Sequence, residues 1–418
     1  MVPKLRFKEF CGEWEEKRLG EIGFFKNGIS KGNEYFGRGY KFVNLQDVFN
    51  TNYLRNKNYG LVELTEKELL ENNLKKGDVI FVRSSVNPSG VGLTSVVLEE
   101  LVDTVFAGFL IRFREYEKVL DLNYKRYCFY FPGFRNELLK RSTISANTNI
   151  NQDNLAKLKI NIPSLPEQTK IADFLSTVDD KIQNQQDKIT HLENIKKGFM
   201  QKIFSRKIRF KDDGGEEFPE WEEKKLGDVI EYITDYVAAG SFADIRKNVT
   251  YLDTGYAQLI RTIDLKNNFR NSEFVYVDKH AFEYLYRVNL NEISIILPNV
   301  GNVGEVYYID PNKLPYKYNV LGPNSILLRS KYQNNKFMYY LFSTDLFVKL
   351  LKLITGVSGQ PKFNKTELKN LKLTIPCIKE QQKIADFLSS FDEKISMEKE
   401  TLEHLKQLKK GLLQQMFV

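Results

Sequence analysis

The 418-residue chain is 42% hydrophobic and 28% charged, with a formal net charge of +8. That balance excludes a disordered or fibrous protein and allows two or three domains, each with its own core. No apolar run approaches the roughly 18 residues that cross a bilayer, and a basic chain rich in Phe and Tyr favours an anionic partner, nucleic acid above all.

Met1–Lys8 lacks the apolar stretch of a signal peptide. Cys11, Cys128 and Cys377 are scattered without a pairing pattern, so a reduced cytoplasmic setting is expected. Residues 1–162 read as a globular domain. Its entry motif is Glu13-Trp-Glu-Glu-Lys-Arg-Leu-Gly20. Two alternating runs, Lys41–Val48 and Gly77–Arg83, predict strands, and the second leads into the Gly/Asn/Pro-rich stretch Ser85–Gly92. A short helical pattern at Tyr124–Tyr130 and a polar loop, Ser145–Asn151, precede Leu155–Pro163.

Residues 163–205 predict one long helix. Ser164 with Glu167 forms a capping-box pattern, and Pro166 is tolerated in the first turn. Ile171, Val178, Gln185, Leu192 and Phe199 recur every seven residues, beside Leu175, Ile182, Ile189, Lys196 and Ile203. Such a repeat is the seam of a coiled coil. About 40 residues at 1.5 Å each give a rod of roughly 60 Å.

The chain then repeats itself. In a second domain, 206–375, Glu220–Gly227 restates the entry motif, and Gln258–Leu265 matches Lys41–Val48 in alternation and in its acidic residue. Asn291–Leu297 stands where Gly77–Arg83 stands. Pro298–Gly304 and Ser358–Asn364 replace the two polar loops, with short helical patterns between them at Asn335–Leu353. Residues 376–418 repeat the helix at close to half of its positions. Its seam is Ile384, Phe391, Glu398, Leu405 and Leu412 beside Leu388, Ile395, Leu402, Lys409 and Met416. The polar interruptions fall at equivalent places, Gln185 with Glu398 and Lys196 with Lys409. They either fix register within the seam or point outward where the helices diverge.

A period of more than about 200 residues is a duplicated module rather than a solenoid. If each helix serves its own domain alike, the two helices run antiparallel. Lys4–Gly20 then packs near the C-terminal end of the second helix, as Lys207–Gly227 directly follows the first. The expected fold is α+β: two similar α/β domains joined by two long antiparallel helices, pseudo-two-fold and pseudo-circular. Alike helices with divergent domains imply one shared scaffold task and two distinct recognition tasks.

The Trp-Glu-Glu-Lys-x-Leu-Gly motifs, the Pro-x-x-x-Glu-Gln-x-Lys-Ile-Ala-x-Phe-Leu helix starts and the order domain–helix–domain–helix resemble the specificity (S) subunit of type I restriction-modification enzymes. The resemblance covers essentially the whole chain. It implies two target recognition domains, each reading half of a split DNA site, and a helical spacer that sets the gap and docks two modification (M) subunits. Motor-nuclease (R) subunits join that core. S-adenosylmethionine would belong to the M subunits, which methylate adenine, and ATP and Mg²⁺ to the R subunits, leaving this chain without a cofactor. Cys377 stands where Ser164 caps the first helix, so the second is expected to fray at its start.

Catalytic motifs are missing from the sequence. Asn87-Pro88-Ser89 and Pro298-Asn299 do not make the Asn/Asp-Pro-Pro-aromatic tetrad of a methyltransferase, Gly356–Gly359 is too short for a phosphate loop, and metal-ligand spacing is absent. His191 and His404 are repeat equivalents on the helices, and His280 stands alone. Asp78 and Glu292 follow strand entries and suit turns.

Base edges are read by Arg, Asn, Gln, Ser and Thr, and phosphates by Lys and Arg. The first domain offers Arg38, Lys41, Asn44, Gln46, Arg83, Ser84, Ser85, Asn87, Asn147 and Asn149 on or beside loops. The second offers Arg261, Asn299, Asn302, Lys317, Tyr318, Asn319, Gln360 and Lys362. Each alone is equally a polar loop residue; they gain weight as a set at corresponding loops. Arg206–Lys211 reads as a solvated link or a phosphate contact. An apolar two-helix rod leaves a face for partner helices, and its seam residues are the expected interface. Two further classes stay open: a self-contained DNA methyltransferase or nuclease, and a coiled-coil adaptor without DNA.

Overall fold

Both entry motifs form strands. In the computed structural model, which describes all residues except Met1, Asn50, Ser145, Asn271, Ser272 and 357–360, Glu15–Arg18 pairs antiparallel with Lys159–Ile162, and Glu222–Lys225 with Lys372–Ile375. The motif ends in glycine because the next turn abuts a neighbouring helix. A Cβ at Gly20 would stand 3.1 Å from Ala156 Cβ, and one at Gly227 3.1 Å from Lys369 Cβ.

The fold is α+β and divides into two compact units, Met1–Lys188 with Glu398–Val418, and Ile189–Met397. In the first, a five-stranded sheet is ordered 23–27, 110–115, 79–82, 94–97, 53–54, and a three-stranded sheet holds 36–43 between 60–62 and 104–106. Strands 36–43 and 104–106 are parallel, Val43 opposite Phe106. In the second unit, a four-stranded sheet is ordered 232–235, 325–329, 294–298, 307–309. Strand 257–260 lies between 275–277 and 319–321 and runs parallel to the latter, Ile260 opposite Leu321. The matched runs Lys41–Val48 and Gln258–Leu265 therefore occupy the same place in their units. Their shared acid has one task. The backbone N–H of Asn44 donates to Asp47 Oδ2 at 2.9 Å and that of Arg261 to Asp264 Oδ2 at 2.8 Å, turning the chain from strand into helix.

The long helices are Leu165–Phe204 and Ile378–Met416, and each contributes residues to both units. Within the first unit Gln185 Nε2 donates to the Glu398 carbonyl at 2.9 Å, and Asp179 meets Lys409 at 2.5 Å, an antiparallel course. Within the second, Lys196 pairs with Asp392, and the Phe199 ring lies 5.8 Å from that of Phe391 and 5.1 Å from that of Phe387, again antiparallel. The polar interruptions thus turn across the seam rather than outward.

Several expected seam residues serve the domains instead. Ile171 and Leu175 are buried in the core of the first unit with Trp14, Tyr124 and Met416, and Ile384 and Leu388 in that of the second with Trp221 and Phe337. The first turns of each helix are thereby claimed by the domain that precedes them. Val178, Leu402, Ile189, Leu192 and Ile395 are buried, while Ile182, Leu405, Leu412, Phe199 and Phe391 are partly exposed.

The chain ends meet within the first unit. Leu5 N–H donates to the Gln415 carbonyl at 2.9 Å and Asn161 Nδ2 to the Val418 carbonyl at 2.8 Å, and Phe417 packs edge-on to Trp14. In the second unit Phe204 makes the equivalent contact with Trp221.

The Glu-Gln pair of the helix starts is buried, and its role differs from a capping box. Glu167 accepts Arg6 Nε at 2.7 Å, and Glu380 accepts Arg209 Nη2 at 3.0 Å and Trp221 Nε1 at 3.2 Å. Gln168 and Gln381 each donate at 2.9 Å to the carbonyl of the proline that precedes their helix, Pro163 and Pro376. Arg209 is therefore a half-buried strut on a buried carboxylate rather than part of a solvated link. The Cys377 carbonyl accepts Gln381 N–H at 3.0 Å much as that of Ser164 accepts Gln168 N–H at 2.9 Å, so the two helices begin alike despite the cysteine.

Candidate nucleic-acid interface

In the first unit the carboxyl ends of the two parallel strands lead into Asn44–Gln46 and Ala107–Phe109. Arg83 joins them: its N–H donates to the Phe109 carbonyl at 2.8 Å, and its Nη1 lies 3.3 Å from the Gly108 carbonyl. Beyond Arg83, Ser84–Ser85 pairs antiparallel with Thr148–Asn149, Asn149 opposite Ser84. The two polar loops of the sequence are thus stitched together. Ser84, Ser85, Asn87 and Asn147 line one concave surface of about 550 Å³ with the apolar Phe49, Val86 and Phe109.

Local chemistry holds these groups. Asn87 Oδ1 accepts Ser89 N–H at 3.1 Å and caps a short turn, Asn149 Nδ2 donates to the Asn147 carbonyl at 2.9 Å, and Asn44 Oδ1 accepts Leu45 N–H at 2.7 Å. Ser85 is buried at the floor, while Arg83, Asn44, Gln46, Asn87 and Asn147 are exposed. Arg38 and Lys41 stand apart, on the strand itself rather than in the loop that follows it. Arg38 is paired with Glu63 at 2.6 Å, and Lys41 Nζ donates to Asn56 Oδ1 at 2.8 Å.

The second unit repeats the arrangement. Val300 bridges Lys362, Gly301 N–H donates to the Pro361 carbonyl at 2.9 Å, and Asn299 Nδ2 lies 3.2 Å from the Phe363 carbonyl. Asn299 N–H donates to the Asn324 carbonyl at 3.1 Å, just past strand 319–321, and Thr262 Oγ1 lies 3.3 Å from Ser325 Oγ. Arg261, Asn299, Asn302 and Lys362 therefore gather around the carboxyl ends of the parallel pair, Asn302 and Lys362 exposed. Arg261 is less free than its sequence suggests. Nε and Nη2 grip buried Asp264 at 3.0 and 2.8 Å, and Nη2 also donates to the Glu273 carbonyl at 2.7 Å. That hydrogen bond to Asp264 raises the guanidinium's pKa further above its ordinary value.

Lys317 and Tyr318 lie at the other end of the strand. Tyr318 stacks on Tyr256 with ring centroids 4.6 Å apart, and the Lys317 ammonium stands 5.1 Å above the Tyr318 ring. Asn319 does not belong at the surface at all. It is buried within strand 319–321, and its Nδ2 donates to the Tyr316 carbonyl at 2.6 Å. Gln360 lies outside the described residues.

The sequence reading missed the concavity's apolar members. Val86 is 83% exposed and Phe109 60% exposed; an exposed valine between serine and asparagine in a turn-rich stretch was the available signal. Asp78, expected at a turn, does receive Lys75 N–H at 2.8 Å, and it also pairs with Arg114 at 2.6 Å. His280 Nε2 lies 2.9 Å from Asn248 Oδ1. No cluster of three or more His, Cys, Asp or Glu that could hold a metal occurs among the described residues, and none of their helices is long and apolar enough to cross a membrane.

Comparison with known proteins adds three findings. A family model described as the type I restriction modification DNA specificity domain matches residues 12–194 and 219–407. The type I restriction enzyme MjaVIII specificity subunit of Methanocaldococcus jannaschii is 24% identical over 431 residues, covering 97% of this chain and 94% of its own. The MjaIX specificity subunit of the same organism is 23% identical over 427 residues, covering 96% and 92%. Among solved structures, the S subunit of a type I restriction-modification system from M. genitalium aligns with a TM-score of 0.53 at 16% identity, over 100% of this chain and 99% of that one. A chain from a structure on complex assembly and conformational transition of the type I R-M system aligns with a TM-score of 0.59 at 13% identity, over 97% of each. At these identities the structural likeness establishes a shared fold.

Proposed function

The chain belongs to the type I restriction modification DNA specificity family, and we propose that each unit reads one half of a bipartite duplex site with the loops at the carboxyl ends of its parallel strand pair. The observation that supports this most is the recurrence of one loop arrangement with different side chains. Ser84 pairs with Asn149 in the first unit and Val300 with Lys362 in the second. A shared frame with unlike groups suits two unlike half-sites.

On this reading Arg83, Asn87, Asn147 and Gln46 face the first half-site, and Asn302 and Lys362 the second, with Asn44, Ser84, Asn149, Arg261 and Asn299 shaping the loops. Arg38, Lys41, Lys317 and Tyr318 contact backbone phosphates or none. The chain itself performs no chemistry. The helices dock two modification subunits that carry S-adenosylmethionine and methylate adenine, and motor-nuclease subunits supply ATP and Mg²⁺ chemistry, all in the cytoplasm.

The test is binding of the complex with its modification subunits to duplexes carrying the mapped methylation target. Affinity should fall steeply with salt, and each changed half-site base pair should cost about 1–3 kcal/mol. Equal affinity for scrambled duplexes at every salt concentration would overturn the reading.

A further inference from the structure

The two units share a three-way polar contact that the entry motifs and loops do not explain. In the first, the Tyr127 hydroxyl, from the recognition domain, donates to Asp179 Oδ2 at 2.9 Å and lies 3.1 Å from Ser176 Oγ, both on the first long helix. Asp179 Oδ1 meets Lys409 of the second long helix at 2.5 Å. In the second unit, the Tyr340 hydroxyl donates to Asp392 Oδ2 at 2.5 Å and lies 3.2 Å from Ser389 Oγ, and Lys196 of the first long helix pairs with Asp392 Oδ1. One carboxylate thus ties a domain, the helix that follows it, and the opposite helix. Both tyrosine side chains are buried. Burial also pushes both phenols up, so they stay protonated donors.

Each contact stands at the edge of a cleft between domain and helices. In the first unit a cavity of about 540 Å³ opens between Phe49, Tyr53, Arg126 and Asp180 beside Tyr127 and Asp179. In the second, one of about 420 Å³ opens between Phe269, Tyr308, Lys336 and Tyr339 beside Asp392. The first turns of each helix are packed into the domain core by Leu175 and Leu388, and one turn farther on, at the edge of the cleft, the hydrogen-bonded carboxylate adds a directional tie to the opposite helix. Hydrogen bonds to a charged group are directional and about twice as strong as neutral ones. A sliding domain would also strip a partner from a carboxylate that is only partly exposed, Asp179 at 20% and Asp392 at 36%.

We propose that Tyr127–Asp179–Lys409 and Tyr340–Asp392–Lys196 are latches, and their tyrosines positioning residues, that fix the angle of each recognition domain on the helices and so enforce a single gap length in the split target. This rests on the bipartite reading given above. It assigns strictness of spacing to residues that touch no DNA, whereas the helices' length sets the spacing itself.

The test is adenine methylation mapping in cells carrying the full chain with its modification subunits, comparing the intact protein with Tyr127→Phe, Tyr340→Phe and their combination. The ring stays in the core and only the hydroxyl is lost. Both half-site sequences should be kept, while methylation at sites with a gap one base pair too long or too short rises about tenfold, the factor carried by one hydrogen bond to a charged group. Lys409→Met reads the same latch from the opposite helix, should Tyr127→Phe fail to accumulate, and should broaden the gap likewise. Variants that methylate at full level with a gap as strict as the intact chain's would overturn the latch. A failure of the intact chain to direct methylation to any split site would instead overturn the functional reading beneath it.

Discussion

Glu167 and Glu380 are carboxylates taken almost wholly out of water, and each is held by a guanidinium more than a hundred residues away in sequence, Arg6 or Arg209. Removing the arginine leaves a buried charge without its partner, so Arg209→Ala should lower unfolding free energy by about 3–5 kcal/mol in urea denaturation. A loss within about 0.5 kcal/mol, the usual range for surface residues, would show the pair to be dispensable. The Glu-Gln motif itself was legible as a repeat, but its partner was not: Arg209 sits in a basic run that looks like a solvated link, and only the fold brings it to Glu380. Asn319 shows the same limit. In sequence it neighbours Lys317 and Tyr318 in a polar turn, yet it is the first residue of a buried strand. At the candidate interface, Lys362→Ala should weaken binding to all duplexes and reduce the salt slope by about one unit, whereas Asn302→Ala should relax base preference in one half-site. The two effects can be separated by measuring affinity across salt concentrations on cognate and altered duplexes.

Among elements, the long helices were the most legible because a seven-residue apolar period sustained over so many turns has few other solutions. Their ends, Leu165–Phe204 and Ile378–Met416, fall within a few residues of those expected. What periodicity could not say is which seam residues face a helix and which face a domain. Ile171 and Ile384 continue the seam in sequence but are buried in domain cores. The strands were legible as alternating runs only in part, since Lys41–Val48 and Gln258–Leu265 pass from strand into helix at Leu45 and Thr262 under the pull of the capping acids Asp47 and Asp264. The separation of Lys41 from Asn44 depends on parallel pairing, a non-local choice. At this scale the spacer makes a mechanical prediction. One extra turn in each long helix adds about 5.4 Å, so methylation mapping of such a double insertion should show a gap longer by one or two base pairs with both half-sites intact. Altered half-sites at an unchanged gap would defeat it.

For the molecule as a whole, duplication is the organising fact. Each unit rebuilds the same frame, from the Trp14 or Trp221 strand to the parallel pair and stitched loops, on a sequence that has otherwise diverged. The repeat was readable because the scaffold residues are held by packing and by buried polar pairs. The candidate loops were readable only as places, since their geometry is set by pairings across long stretches of chain. If each unit reads its own half of the target, the halves must be exchangeable. The most direct measurement is a genome-wide adenine methylation map made with the intact chain and with one whose residues 206–375 are replaced by the matching segment of a relative. We expect one half-site to change and the other half-site and the gap to persist. A target that changes in both halves, or that proves continuous, would contradict the division of labour between the units.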